Sequence, residues 1–108
     1  MSIGHMRTPL RVQEYLETRT SDGGVVEAWA TTQVVWGRVV GLRGRELFSA
    51  QQINKQTSHK VTIRYKKGLT SDARLVDPSS SRVFNIESVV DIEDRHRFME
   101  LLCTEVAG

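Results

Sequence analysis

The sequence predicts a mainly β fold, a small antiparallel β-barrel with one long inserted loop or short helix at about residues 41–56. Three observations lead there. Short runs rich in β-branched and aromatic residues recur at barrel-like spacing, joined by Gly, Pro and Ser turns. The last two runs are apolar on both faces, as strands are when a sheet curls on itself and packs outward as well. A single stretch, Gly41–Gln56, fits neither strand nor stable helix.

Taken in order, Leu10, Val12 and Leu16 share one period-2 face and Arg11, Gln13, Tyr15 and Glu17 the other, which predicts a first strand over Leu10–Thr18; Glu14 disturbs the alternation. Ser21-Asp22-Gly23-Gly24 supplies residues tolerant of left-handed backbone where a hairpin reverses. Val25–Val40 returns as the second arm, and Ala30-Thr31-Thr32-Gln33, between Trp29 and Trp36, is expected to break it in two. Both tryptophans are read as core anchors, since each carries a large apolar area; an exposed role at a subunit interface is the sharper alternative for Trp29.

From Gly41 the pattern changes. Gly41-Leu42-Arg43-Gly44 is turn-like, and Arg45–Ile53 holds helix formers with Leu47, Ala50 and Ile53 at three-residue spacing. Two turns fall short of the ~12–15 residues an isolated helix needs in water, so the segment is expected to be mobile until something packs on it.

Thr57–Tyr65 is the cleanest strand, with His59, Val61, Ile63 and Tyr65 on its apolar face. Ala73–Val76 and Arg82–Val90 form a hairpin about Asp77-Pro78-Ser79-Ser80-Ser81, with Phe84 and Ile86 on one face of the second strand and Val83 and Val89 on the other. Asp91–Arg97 reads as a charged loop or single turn, and Phe98–Val106 as the last strand. Trp36, Val61, Ile63, Phe84, Ile86 and Leu101 are the expected core.

The 108 residues suffice for one domain, 6–108. Residues 1–5 resemble a cloning remnant and are set outside it. Fifteen Lys+Arg against thirteen Asp+Glu leave +2, interleaved, so bulk charge indicates neither a nucleic-acid tail nor a membrane patch. The basic run Arg64-Tyr65-Lys66-Lys67 reads as a solvated strand end. No stretch approaches the ~20 apolar residues of a membrane helix, and a soluble chain made in the cytoplasm with no membrane partner is expected.

Reactive chemistry has no visible seat. Cys103 lies in an apolar run and behaves as a small hydrophobe. No phosphate-cradling loop, nucleophile elbow or metal-ligand spacing occurs; Gly41-Leu42-Arg43-Gly44 lacks a following Lys-Ser/Thr, and Asp91, Glu93 and Asp94 lack the glycine and distal Glu of a calcium loop. A non-enzyme without catalytic residues, metal or cofactor is expected.

Ordered pieces along the chain carry a resemblance. Asp22-Gly23-Gly24, Glu27-Ala28-Trp29, Val35-Trp36-Gly37-Arg38-Val39 and Gly44-Arg45-Glu46-Leu47-Phe48-Ser49-Ala50-Gln51-Gln52 come first. His59-Lys60-Val61-Thr62-Ile63-Arg64-Tyr65 with Gly68, Arg82-Val83-Phe84-Asn85-Ile86 and Leu101-Leu102-Cys103-Thr104-Glu105-Val106 follow. In this order and spacing, from Met6 onward, the chain resembles the phage head–tail joining protein family; Ser79-Ser80-Ser81 is its main departure.

The resemblance implies a head-completion, or stopper, subunit of the virion, assembled in the host cytoplasm. Copies of itself would form a ring, a hexamer or dodecamer, beneath the portal and adaptor after DNA packaging. The ring would close the channel around packaged DNA, without sequence-specific binding, and receive the tail completion protein. It further implies that Gly41–Gln56 faces the lumen. On that footing Leu47, Phe48 and Ile53 are expected assembly contacts, Arg43, Arg45 and Lys55 are expected to face the lumen or a partner, and Gly41 and Gly44 are expected hinges. Two alternatives remain open at this point: a tail-completion or tail-tube terminator protein of similar ring architecture, and a small OB-like nucleic-acid-binding barrel suggested by Arg64–Lys67.

Overall fold

A computed structural model describes residues 6–106, the side chain of Asp94 excepted, so the expected remnant at residues 1–5 lies outside the described residues. Six strands, β1 (Thr8–Arg19), β2 (Val25–Gly41), β3 (His59–Arg64), β4 (Arg74–Asp77), β5 (Arg82–Asp91) and β6 (Phe98–Val106), close into an antiparallel barrel in the order β1-β2-β3-β6-β5-β4. One helix, α1 (Gly44–Ile53), interrupts the barrel between β2 and β3, and a single 3₁₀ turn, Ile92–Asp94, joins β5 to β6. The expected fold class stands, and each expected strand lies within a few residues of an observed one.

The barrel is filled from the inward face of every strand. Leu10, Val12, Val61, Ile63, Leu75, Phe84, Leu101 and Cys103 are fully enclosed, with Val35, Ile86 and Met99 close behind. Gly37 sits where β2 meets this core; a Cβ there would stand 3.0 Å from Leu10 Cδ1, 3.1 Å from Ile63 Cγ2 and 3.2 Å from Val61 Cγ1.

That crowding explains a correction. Trp36 is not in the core but 58 % exposed. Its neighbours Val35 and Gly37 take the inward positions, the latter where the core has no room even for a Cβ, so strand alternation turns residue 36 outward.

The second arm is not broken in two either. β2 runs unbroken from Val25 to Gly41, and the expected interruption is a β-bulge: Val12 pairs with Gln33 and Gln13 with Thr31, leaving Thr32 unpaired. One extra residue reverses the parity of everything beyond it. Trp29 and Trp36 would face opposite ways on a regular strand, yet both point outward here, Trp29 beside its partner Tyr15 and Trp36 beside Pro9. The same device acts in β5, where the register shift between Ile86 and Ser88 turns Val89 inward opposite Leu101 instead of outward with Val83 as expected.

Beyond the bulge, β1 and β2 leave the barrel. β1 pairs with β4 only at Arg11–Gln13 and β2 with β3 only from Gly37, so the distal hairpin is a two-stranded arm. It gives the molecule its length, 52 Å against 28 Å across. At the tip Gly23 adopts φ +86°, Asp22 Oδ1 accepts from Gly24 N at 3.1 Å and also from the Thr20 hydroxyl, and Thr20 N donates to Gly24 O at 2.8 Å. The Thr20 hydrogen bond, with help from the backbone, holds the Asp22 carboxyl below the ordinary range.

Candidate assembly segment and its anchors

The segment between β2 and β3 leaves the barrel at Gly41, which is the last ladder residue of β2, opposite His59, and has ordinary strand backbone. Gly44 is the residue that needs to be glycine: it opens α1 at φ +62°. Of the two expected hinges, only Gly44 adopts a backbone that other residues disfavour.

α1 is weak by itself. Arg43 at its N-terminal boundary offers no capping side chain, Glu46 is the one acidic group in the first turn, and the last turn has no base. The helix touches the barrel through Ala50, its one buried residue, and through half-buried Leu47. Three-residue spacing falls short of a full turn, so by Ile53 the stripe has rotated off the barrel. Ile53 is 91 % exposed and Phe48 67 %. An open groove of about 390 Å³ separates one flank of α1 from β3 and β6, with Lys60 and Leu102 on its floor, and a smaller one of about 180 Å³ lies on the other. Arg43, Arg45 and Lys55 all face solvent.

Its two ends, by contrast, are tied down. Leu42 N donates to Ser58 O at 2.9 Å, Gln51 Nε2 to Thr57 O at 3.3 Å, and Lys60 Nζ reaches Glu46 Oε1 at 3.4 Å. Asn54 closes the helix, its N–H donating to Ala50 O at 3.1 Å, and its Nδ2 donates to Glu87 Oε2 at 2.8 Å. Glu87 is the residue around which β5 shifts register, and Thr104 Oγ1 donates to its other oxygen at 2.9 Å.

Beneath the loop's return lies a polar cluster that sequence reading missed. Arg82 grips Glu105 with two hydrogen bonds, Nε to Oε2 at 2.8 Å and Nη2 to Oε1 at 3.1 Å. Its Nη2 is also 3.2 Å from His59 Nε2, and Ser58 Oγ is 2.7 Å from His59 Nδ1. A guanidinium only donates, so Nε2 is assigned as acceptor, which makes the ring neutral and directs Nδ1–H to Ser58. Desolvation lowers the His59 pKa; nearby Glu105 opposes that and Arg82 adds to it. The Arg82 hydrogen bond holds Glu105 below the usual carboxylate range. Phe84 forms the apolar floor, edge-on to His59 at 5.3 Å and under Arg82 at 4.8 Å. The sequence places His59 only on the apolar face of its strand; its partners Arg82 and Glu105 sit at opposite ends of two other strands, and no spacing rule links them.

Among the described residues no cluster of His, Cys, Asp and Glu could hold a metal. Burial pushes the Cys103 thiol up to about 12, the state of a packing residue and not a nucleophile.

A family model described as phage head completion protein matches residues 1–106. The head completion protein gp7 of Enterobacteria phage HK97 is 26 % identical over 106 residues, 95 % of each chain. Among solved structures, protein SF1141 from Shigella flexneri 2a superposes with a TM-score of 0.79 at 26 % identity, over 99 % of this chain and 98 % of that one. A chain of the native gene transfer agent particle shares the fold, with a TM-score of 0.59 at 15 % identity over 93 % and 94 %.

Proposed function

The chain belongs to the phage head completion protein family, virion structural proteins of the head–tail junction and not enzymes, and from that membership we propose that it is a ring-forming connector subunit whose Gly41–Gln56 segment gates the DNA channel. Copies assemble beneath the portal and adaptor after packaging, the segments close the lumen, and the opposite surface receives the tail completion protein.

The observation that carries this reading is the way α1 is held. Both ends are hydrogen-bonded to the barrel while the middle rests only on buried Ala50 and half-buried Leu47, so the helix can shift or unwind without disturbing the core. Phe48 and Ile53 are left largely in solvent, where they contribute little to the isolated fold. Burying them against neighbouring copies would gain ~25 cal/mol per Å², repeated around the ring, against the backbone entropy of ordering the segment, ~1–2 kcal/mol per residue. Leu47, Phe48 and Ile53 supply the contacts, and Arg43, Arg45 and Lys55 place positive charge toward DNA or a partner.

Heads assembled with a Phe48→Ala chain test the reading. Loss of packaged DNA with normal folding of the subunit supports gating; full DNA retention rules it out.

A further inference from the structure

The arm and the basic run Arg64–Lys67 have no part in that gate. Residues 14–30 hold Glu14, Glu17, Asp22 and Glu27 against Arg19 alone, a net of −3; the whole chain is +2, so the remainder is +5. On the arm's outward face Glu17 pairs directly opposite Glu27. Like charges so placed are unfavourable, and among the described residues neither carboxylate has a cationic partner. Next to them Tyr15 (54 % exposed) and Trp29 (38 %) stack edge-on at 5.4 Å, with the Arg74 guanidinium 4.2 Å from the centre of the Trp29 ring.

The complementary surface lies on the same chain. Trp36 floors a cavity of about 410 Å³ with Met6, Val34 and Val35, rimmed by Arg64 and Lys66. Among the described residues these two cations have no carboxylate partner either. An exposed tryptophan in an apolar pocket with a basic rim has the makings of a binding hot spot.

The arm cannot reach this pocket on its own chain. Trp29 and Trp36 lie on one continuous strand, seven residues and about 23 Å apart. We propose that the Tyr15/Trp29 face of the arm docks in the Trp36 pocket of a second copy of this chain, with Glu17 and Glu27 against the partner's Arg64 and Lys66. The two patches differ, so the contact is head-to-tail, the kind that repeats around a closed ring. The idea rests on the ring-subunit reading and supplies its lateral contact.

Sedimentation of the full chain from micromolar to millimolar concentration at low salt tests it. Wild type self-associates, and added salt weakens the association. Glu17→Lys with Glu27→Lys weakens it about tenfold or more, as does Arg64→Glu with Lys66→Glu. An equimolar mixture of the two reversed chains recovers it, because each arm then meets a pocket of opposite sign. The milder Glu17→Gln with Glu27→Gln gives an intermediate loss, and melting curves check that every chain folds. A monomeric wild type, reversed chains that associate normally, or a mixture that fails to recover would each overturn the contact. Incorporation into heads separates the two ideas: wild type that enters heads while the reversals change nothing sinks the contact and leaves the connector reading, whereas wild type that associates through the arm but never enters heads sinks the connector reading.

Discussion

Gly37 has no side chain because the core leaves no place for one. With Leu10, Ile63 and Val61 within 3.0–3.2 Å of an added Cβ, Gly37→Ala is expected to cost about 1–3 kcal/mol through overpacking, read as a lowered denaturation midpoint. Ile63→Ala empties a fully buried site and should cost about 2–5 kcal/mol, whereas Trp36→Ala, exposed as Trp36 is, should cost far less. His59 adds a pH term. Its pKa is lowered in the fold, so the unfolded chain binds more protons; the stabilisation is complete above the ordinary histidine value of about 6.5 and is lost as pH falls below it. Glu105, also lowered, extends the loss through and below about pH 4.3. Melting temperature is therefore expected to fall between about pH 7 and 5.5, and His59→Asn should flatten that slope; a slope unchanged in the variant would remove His59 as its source.

At the scale of elements, α1 is where local sequence and tertiary structure meet most weakly. Asn54→Ala or Glu87→Ala frees its C-terminal tether, and faster hydrogen exchange in α1 with the barrel amides still protected is the expected result. Exchange unchanged in α1 would mean that the tether does not hold it. The strands were legible because alternation is a local pattern, as in His59–Tyr65, and the weakness of 41–56 was legible from its composition. An interruption at Ala30–Gln33 was legible, but not that it is a one-residue bulge at Thr32 leaving Trp29 and Trp36 together on the outward face. Nothing local marks the second bulge, at Glu87, which turns Val89 inward. The Ser58–His59–Arg82–Glu105 cluster was hidden for a related reason: it is assembled by strand order, with β6 between β3 and β5.

Across the whole molecule, stability and assembly fall on different parts. The closed barrel encloses the core, while the arm, the Trp36 pocket and α1 hold most of the exposed large apolar side chains. Truncations in α1 should therefore leave folding intact and act only when copies meet the connector. The most direct measurement compares wild type with a chain lacking residues 43–54, first by melting of the free protein and then by DNA retention in completed heads. Both chains are expected to fold, with wild-type heads keeping their DNA and heads with the deleted chain losing it. Heads that retain DNA without residues 43–54, or a deleted chain that no longer folds, would contradict a segment that serves assembly and not the fold.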